Sequence, residues 1–163
     1  MNHLATIELA GSTVVLRRAQ AGDIPAIVAL LAADQLGATR DGVDTAEDLA
    51  AYQSAFRAID ADPAHVLVAA QAGPELVGSL QLSFIPGLAR RGALRAQIEA
   101  VRVLESFRSL GLGAAMMGWA IDEARRRGCA LVQLTTDKAR PDAHRFYERL
   151  GFVASHQGMK LRL

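Results

Sequence analysis

The chain contains a single cysteine, Cys129, among its 163 residues. One thiol excludes an intramolecular disulfide and a cysteine-ligated zinc cluster, and it fits a cytoplasmic compartment. An excess of either charge is also missing. Lys and Arg number 18 against 17 Asp and Glu, for a net charge of +1, and the arginines are scattered through helical stretches. The footprint of a nucleic-acid binder is therefore absent. No apolar run approaches the roughly 18 residues that cross a bilayer, and the start, MNHLATIELAG, has no basic segment leading into an apolar one. Neither export nor a membrane partner is expected. His3, His65, His144 and His156 lack metal-ligand spacing, so no metal is expected either. What remains is 51% hydrophobic and 21% charged, the composition of a chain that folds. Its length suits one domain over residues 1–163.

Strands and helices alternate along it. STVVLRRA reads as a strand, followed by Asp23 as a helix N-cap, Pro25 in the first turn, and Ile24, Ile27, Val28 and Leu31 at helical spacing. A polar loop, LGATRDGVD, leads to Thr45 and Asp48, a helix start feeding LAAYQSAFRAI. HVLVAAQ and LVGSLQLSFI flank the turn AGPE as an antiparallel hairpin. After the loop IPGLARRGALR comes a strand, AQIEAVRVLE, whose apolar set changes phase between Ala100 and Val101. Two readings fit: a bulge beside a site, or a strand buried on both faces.

The stretch RSLGLG follows, then a helix with Leu112, Ala115, Met116, Trp119, Ala120 and Ala124 on one stripe. Arg125, Arg126 and Arg127 suit the negative end of its dipole, and Gly128 a left-handed stop. CALVQLTT closes a right-handed strand, helix, strand unit with two parallel strands. Glycines at a helix mouth leave backbone N–H groups uncovered, which suits an anion. The turn fails the dinucleotide fingerprint, because Met116 stands where Gly or Ala is needed. It fails the P-loop too, because Trp119 and Ala120 follow Gly118 in place of Lys and a hydroxyl residue. A metal-free anion site or a plain packing turn remain.

RPDAHRFYERLGF is a short helix with Ala143, Phe146, Tyr147 and Leu150 on one face. Together, VRVLESFRSLGLG and AHRFYERLGF, with VVLRRAQAGDIPAIVALL ahead of them, resemble the GCN5-related N-acetyltransferase (GNAT) family from about Val14 to the C-terminus. The resemblance implies a mixed α/β (α+β) fold. Its central sheet would have six to seven strands, with helices on both faces and the parallel fourth and fifth strands splayed.

It also implies acetyl-CoA as co-substrate, with the anion its diphosphate. Arg108, Ser109, Leu110, Gly111, Leu112, Gly113 and Ala114 would wrap that diphosphate, and Val101, Arg102 and Val103 would pair with the pantetheine arm. Many relatives carry an asparagine seven residues before the tyrosine; here Arg140 stands there, and it could reach a cofactor phosphate or an acidic acceptor. The acceptor implied is the primary amine of a small molecule, acetylated in a ternary complex. A protein or peptide amine, or a non-catalytic acyl-CoA sensor, are the alternatives.

An alkylammonium of pKa near 10.4 must lose a proton before it attacks, and a departing thiolate, of pKa about 8.5, gains from an acid. Tyr147 matches the family's acid; a packing tyrosine is the alternative. Glu99, a charge in an apolar strand, is the candidate base through water, or else a solvent-facing or ion-paired carboxylate. The Val103 N–H suits the acetyl oxygen. Cys129 suits a buried small residue, so direct transfer is expected. Asp34, in an acidic stretch with Asp41, Asp44, Glu47 and Asp48, and His156 are candidates for the acceptor side. The ending MKLRL suits an edge strand shared in a homodimer.

Overall fold

Alternation begins earlier than expected, at HLATIEL. The computed structural model describes residues 3–33, 37–161 and 163, and it opens with β1 (His3–Leu9), a strand the sequence reading passed over. β1 lies at a sheet edge with every residue exposed or half-buried, which leaves its period-two signal weak. The strand expected to come first is therefore β2 (Ser12–Arg18). It is joined to β1 by a turn in which Gly11 holds φ of 85°.

β3 (His65–Ala72) and β4 (Glu75–Ile85) form the expected hairpin, and β5 (Arg95–Val103) and β6 (Leu131–Leu134) the parallel pair. The sheet runs in chain order, β1 to β6, antiparallel everywhere except at that last pair. Six strands satisfy the expectation of a mixed sheet, and residues 152–161, where a further strand was expected, form neither helix nor strand.

The two faces bury different layers. Val14, Leu16, Val66, Val68, Leu80, Leu82, Ala96 and Ile98 pack on α4 (Leu112–Arg126) through Leu112, Met116, Met117, Ala120 and Ala124. On the other face, Ala19 and Ala69 meet Ile27 of α1 (Ile24–Ala32), with Phe56 of α2 (Ala46–Ala61) packed against them. The start of α2 is the expected reciprocal cap: Thr45 Oγ1 accepts from the Asp48 N–H, and the Asp48 carboxylate accepts from the Thr45 N–H.

Asp23 does sit ahead of α1, but its carboxylate caps nothing in that helix. It takes two parallel bonds from Arg17 at 2.6 and 2.8 Å and a third from the Gln20 N–H, and Arg17 Nε reaches Gln71 at 2.7 Å. This largely buried pair holds the Asp23 carboxyl below its usual pKa, chiefly through the Arg17 hydrogen bond. Replacing Asp23 by Ala should cost about 3 kcal/mol, read by denaturant unfolding. The contribution is full above the unfolded carboxyl's pKa of about 3.9 and is lost as pH falls through the lower folded value. An unchanged midpoint would remove the pair from the account of stability.

The arginine run at the end of α4 does more than face solvent. Arg126 and Arg127 both pair with the buried Glu123, and Arg127 also lies 4.0 Å over the Phe84 ring and donates to the Pro63 carbonyl. These contacts tie the helix end to the sheet. Among the described residues no helix is long and apolar enough to cross a membrane.

Candidate active site

β5 is where the parallel pair opens. Only Arg95 to Ile98 pair with β6, so β5 continues to Val103 with its far edge bare. On its other side the register against β4 slips by one residue: Ser79 faces Arg102 and Gln81 faces Glu99. The extra residue marks a bulge, with Ala100 at φ of 52°. Of the two readings of the phase change, the bulge holds. Gly78 lies beside it: a Cβ there would stand 3.0 Å from the Arg102 carbonyl and from Met116 Sδ, so only glycine lets β4 approach so closely. A lone glycine inside an apolar strand was the available signal.

The Leu104 N–H donates to Val77 on β4, and an antiparallel ladder alternates, so the N–H groups of Val103 and Val101 point away from β4 toward the open edge. Their carbonyls are held by side chains: Arg102 Nη1 donates to Val101 at 2.9 Å and Arg108 Nε to Val103 at 3.2 Å. Beyond that edge lies a cleft of about 410 Å³. Val101, Arg102, Val103 and Arg108 line one side of it. Ala139 and Arg140 line the other, with Pro141, Asp142 and Ala143 at the start of α5 (Pro141–Arg149). None of residues 139 and 141–143 was read as part of a site from sequence, where Ala143 served only as a face residue of the helix, because only the fold brings that helix start opposite β5.

At the C-terminal end of β5 the chain makes a short 3-10 turn (Glu105–Phe107), then the RSLGLG stretch. Ser109 and Gly111 hold φ of 64° and 90°, and Gly111 caps α4. Left-handed residues at a helix mouth gather N–H groups around an anion-sized concavity. The first helical donors, including Leu112, Gly113 and Ala114, have no intrahelical acceptor. The Arg108 N–H does not belong to this set, because it donates to the Glu105 carbonyl. That corrects the expectation for this amide. Leu112 is fully buried, so only its backbone faces the turn; Leu110 is exposed. A Cβ on Gly113 would meet Phe146 and Val103 at 3.5 and 3.6 Å, so the turn, β5 and α5 converge there. These features fit a diphosphate approached by bare backbone.

Tyr147 packs edge-on against Phe146 and Phe152, with ring centroids 5.2 and 6.0 Å away. Burial pushes its hydroxyl above the usual phenol value, and the positive charges of Arg102 and Arg140 pull it partly back. Both arginines line the cleft, so Tyr147 feels the charge at its edge without lining it. Glu99 is exposed one residue before the bulge, and by alternation shares a face with Arg95 and Gln97.

His156 is exposed beside Ser155 and lines no part of the cleft, and Asp34 lies outside the described residues. The acidic stretch is partly structural: Asp48 caps α2, and Asp41 accepts from the Tyr52 hydroxyl. Its value as a sign of a cationic acceptor falls accordingly. His144 is half-buried, with Nε2 3.0 Å from the Asp137 carbonyl. Burial raises the half-buried Cys129 thiol, which keeps it from being a ready nucleophile. No group of three or more His, Cys, Asp or Glu among the described residues could hold a metal ion.

Comparison with known proteins agrees with this geometry. The chain is 36% identical over 110 residues to an aminoalkylphosphonate N-acetyltransferase of Salmonella typhimurium, covering 67% of this chain and 70% of that one. Over 89 residues it is 38% identical to a glucosamine 6-phosphate N-acetyltransferase of Trypanosoma brucei brucei, covering 54% and 58%. A crystal structure of a transcriptional regulator from Bacillus halodurans C-125 superimposes with a TM-score of 0.87 at 45% identity, over 92% of this chain and 99% of that one. The model of the acetyltransferase (GNAT) family matches residues 29–152, which include the end of α1, the bulged strand, the glycine turn and Tyr147, and so the chain belongs to the GNAT acetyltransferase family.

Proposed function

We propose that the chain transfers an acetyl group from acetyl-CoA directly to the primary amine of a small molecule. The observation that carries this reading is the bared edge of β5 beyond Ile98, with the N–H groups of Val101 and Val103 directed into a cleft that leads to the glycine turn. Acetyl-CoA supplies the activated thioester. The backbone of Ser109 to Ala114 holds its diphosphate, Arg108 and Arg140 flank it, and the pantetheine arm lies along Val101 to Val103. The Val103 N–H faces the acetyl oxygen.

Tyr147 is the acid. A phenol whose pKa is raised still carries its proton at neutral pH and can give it to the departing sulfur. Glu99 accepts the ammonium proton through water. Both curated relatives are named for acetylating small-molecule amines, which supports an acceptor of that kind. An acid, Tyr147, under the charge of two cleft arginines and a carboxylate, Glu99, on β5 favour an enzyme over the sensor that the regulator's name invites.

The test is to incubate the protein and acetyl-CoA with small amines in parallel with lysine-bearing peptides, and to identify products by mass spectrometry. Acetylated small amines support the reading. Acetylated peptides alone would move the acceptor to protein, and no product with acetyl-CoA still bound would leave the sensor. A second expectation concerns Glu99: Glu99→Gln should lower kcat/KM by about 10²-fold, read by steady-state kinetics. A kcat/KM within threefold of wild type would place the base elsewhere.

A further inference from the structure

β4 leads through the four-residue turn α3 (Ala89–Gly92) into β5, and the antiparallel register sets Gln81 directly opposite Glu99, next to the bulge. Residues opposed in this way have Cβ atoms about 4.5–5.5 Å apart, so the two side chains are neighbours on one face of the sheet. It is the face of α1 and α2. Leu67, across from Gln81 on β3, packs with Ile27 and Phe56 there, whereas Leu80, Leu82 and Ile98 point the other way, toward α4.

The polar side chains that flank this pair on the same face are already engaged. Ser83 Oγ lies 2.8 Å from His65 Nδ1, Gln133 Nε2 donates to Gln97 at 2.7 Å, and Ser79 Oγ donates to the Ala100 carbonyl at 3.5 Å. Gln81 and Glu99 differ. Neither side chain makes a hydrogen bond or ion pair among the described residues, although Gln81 is half-buried. An amide offers two donors and two acceptor sites, and a half-buried one that the protein leaves unused is open to a ligand. Val101, two residues on from Glu99, lines the cleft, so the pair adjoins the edge that the acetyltransferase reading gives to the pantetheine arm.

We propose that Gln81 seats the acceptor's amine: its side-chain carbonyl accepts one N–H of the ammonium group while Glu99, through water, takes a proton from the same nitrogen. The proposal rests on the acetyltransferase reading and adds a substrate-positioning residue to that site. A glutamine carbonyl stays neutral, so it holds the nitrogen before and after the proton leaves. A second carboxylate in its place would favour the ammonium form and oppose that loss. Because the bond is made in the ground state and the transition state alike, removing it raises KM and leaves kcat near its wild-type value.

Gln81→Met keeps the length of the side chain and removes the acceptor. With the small amine that turns over fastest, its KM for the amine should rise about tenfold or more, with kcat within threefold of wild type and acetyl-CoA affinity, measured by calorimetry, unchanged. Gln81→Asn, which keeps the amide, should recover part of the loss. A KM for the amine within threefold of wild type overturns the proposal. So does a fall in kcat together with acetyl-CoA affinity, which would mean that Gln81 only supports the bulge. A second readout needs no turnover: propylamine titrated into the isotope-labelled protein with coenzyme A bound, followed by NMR. The Gln81 side-chain amide signals should shift and saturate, and binding read at the Glu99 backbone amide should weaken about tenfold in Gln81→Met. Unchanged binding overturns the seat while the transferase reading stands. Failure to acetylate any amine, while propylamine binds through Gln81, overturns the transferase reading alone.

Discussion

Tyr147→Phe will lower kcat by about 10²-fold or more with little change in the affinity for acetyl-CoA. The ring is held by edge contacts to Phe146 and Phe152, which phenylalanine makes equally well, so the fold has no reason to move. What is lost is the hydroxyl alone. Burial raises its pKa, and Arg102 and Arg140 limit the rise, so the proton is present at neutral pH and a developing phenolate meets two cations. The variant's rate should depend on the leaving thiol more steeply than the wild type's, because a poorer leaving group needs the acid more. Steady-state kinetics with acetyl-CoA and a truncated acetyl thioester measure this. A kcat within threefold of wild type would return Tyr147 to the role of a packing residue.

Gly111→Val should weaken acetyl-CoA binding by about tenfold or more. Nothing stands within 4 Å of a Cβ at Gly111, so crowding is not the cause. The cause is the backbone: φ of 90° is open to glycine, whereas an L residue held left-handed costs roughly 1–2 kcal/mol, and a β-branched one has the fewest ways to adapt. The turn relieves that strain by rotating, and the N–H groups of Ser109 to Ala114 then lose their common focus. Gly118→Ala is the control. Gly118 lies in α4 with open space around it, and alanine there should stabilise the helix by about 1 kcal/mol and leave affinity alone. Calorimetry with coenzyme A distinguishes the two. Wild-type affinity in Gly111→Val would mean the anion sits elsewhere.

The features legible in the sequence were those written locally. Thr45 and Asp48 spell a reciprocal cap within four residues, and the phase change at Ala100 and Val101 is visible as a break in alternation. The glycine turn is likewise contiguous with the helix it caps. β1 escaped because an edge strand buries too little to sharpen its pattern. Arg127 was taken for a solvated dipole partner because its real contacts, Phe84 and the Pro63 carbonyl, are more than 40 residues away in sequence and meet only after folding. Arg108 was assigned its own N–H as an anion donor. That amide closes the preceding 3-10 turn, a competition between neighbouring turns that residue types do not reveal.

The central claim is direct transfer within one complex of protein, acetyl-CoA and amine. Thiol release measured while both substrates are varied tests it most directly, because direct transfer needs both reactants bound at once, and Cys129 is an unready nucleophile. The account predicts amine-dependent release with double-reciprocal lines that intersect. Parallel lines, or thiol released in a burst without amine, would require an acetylated protein and contradict it.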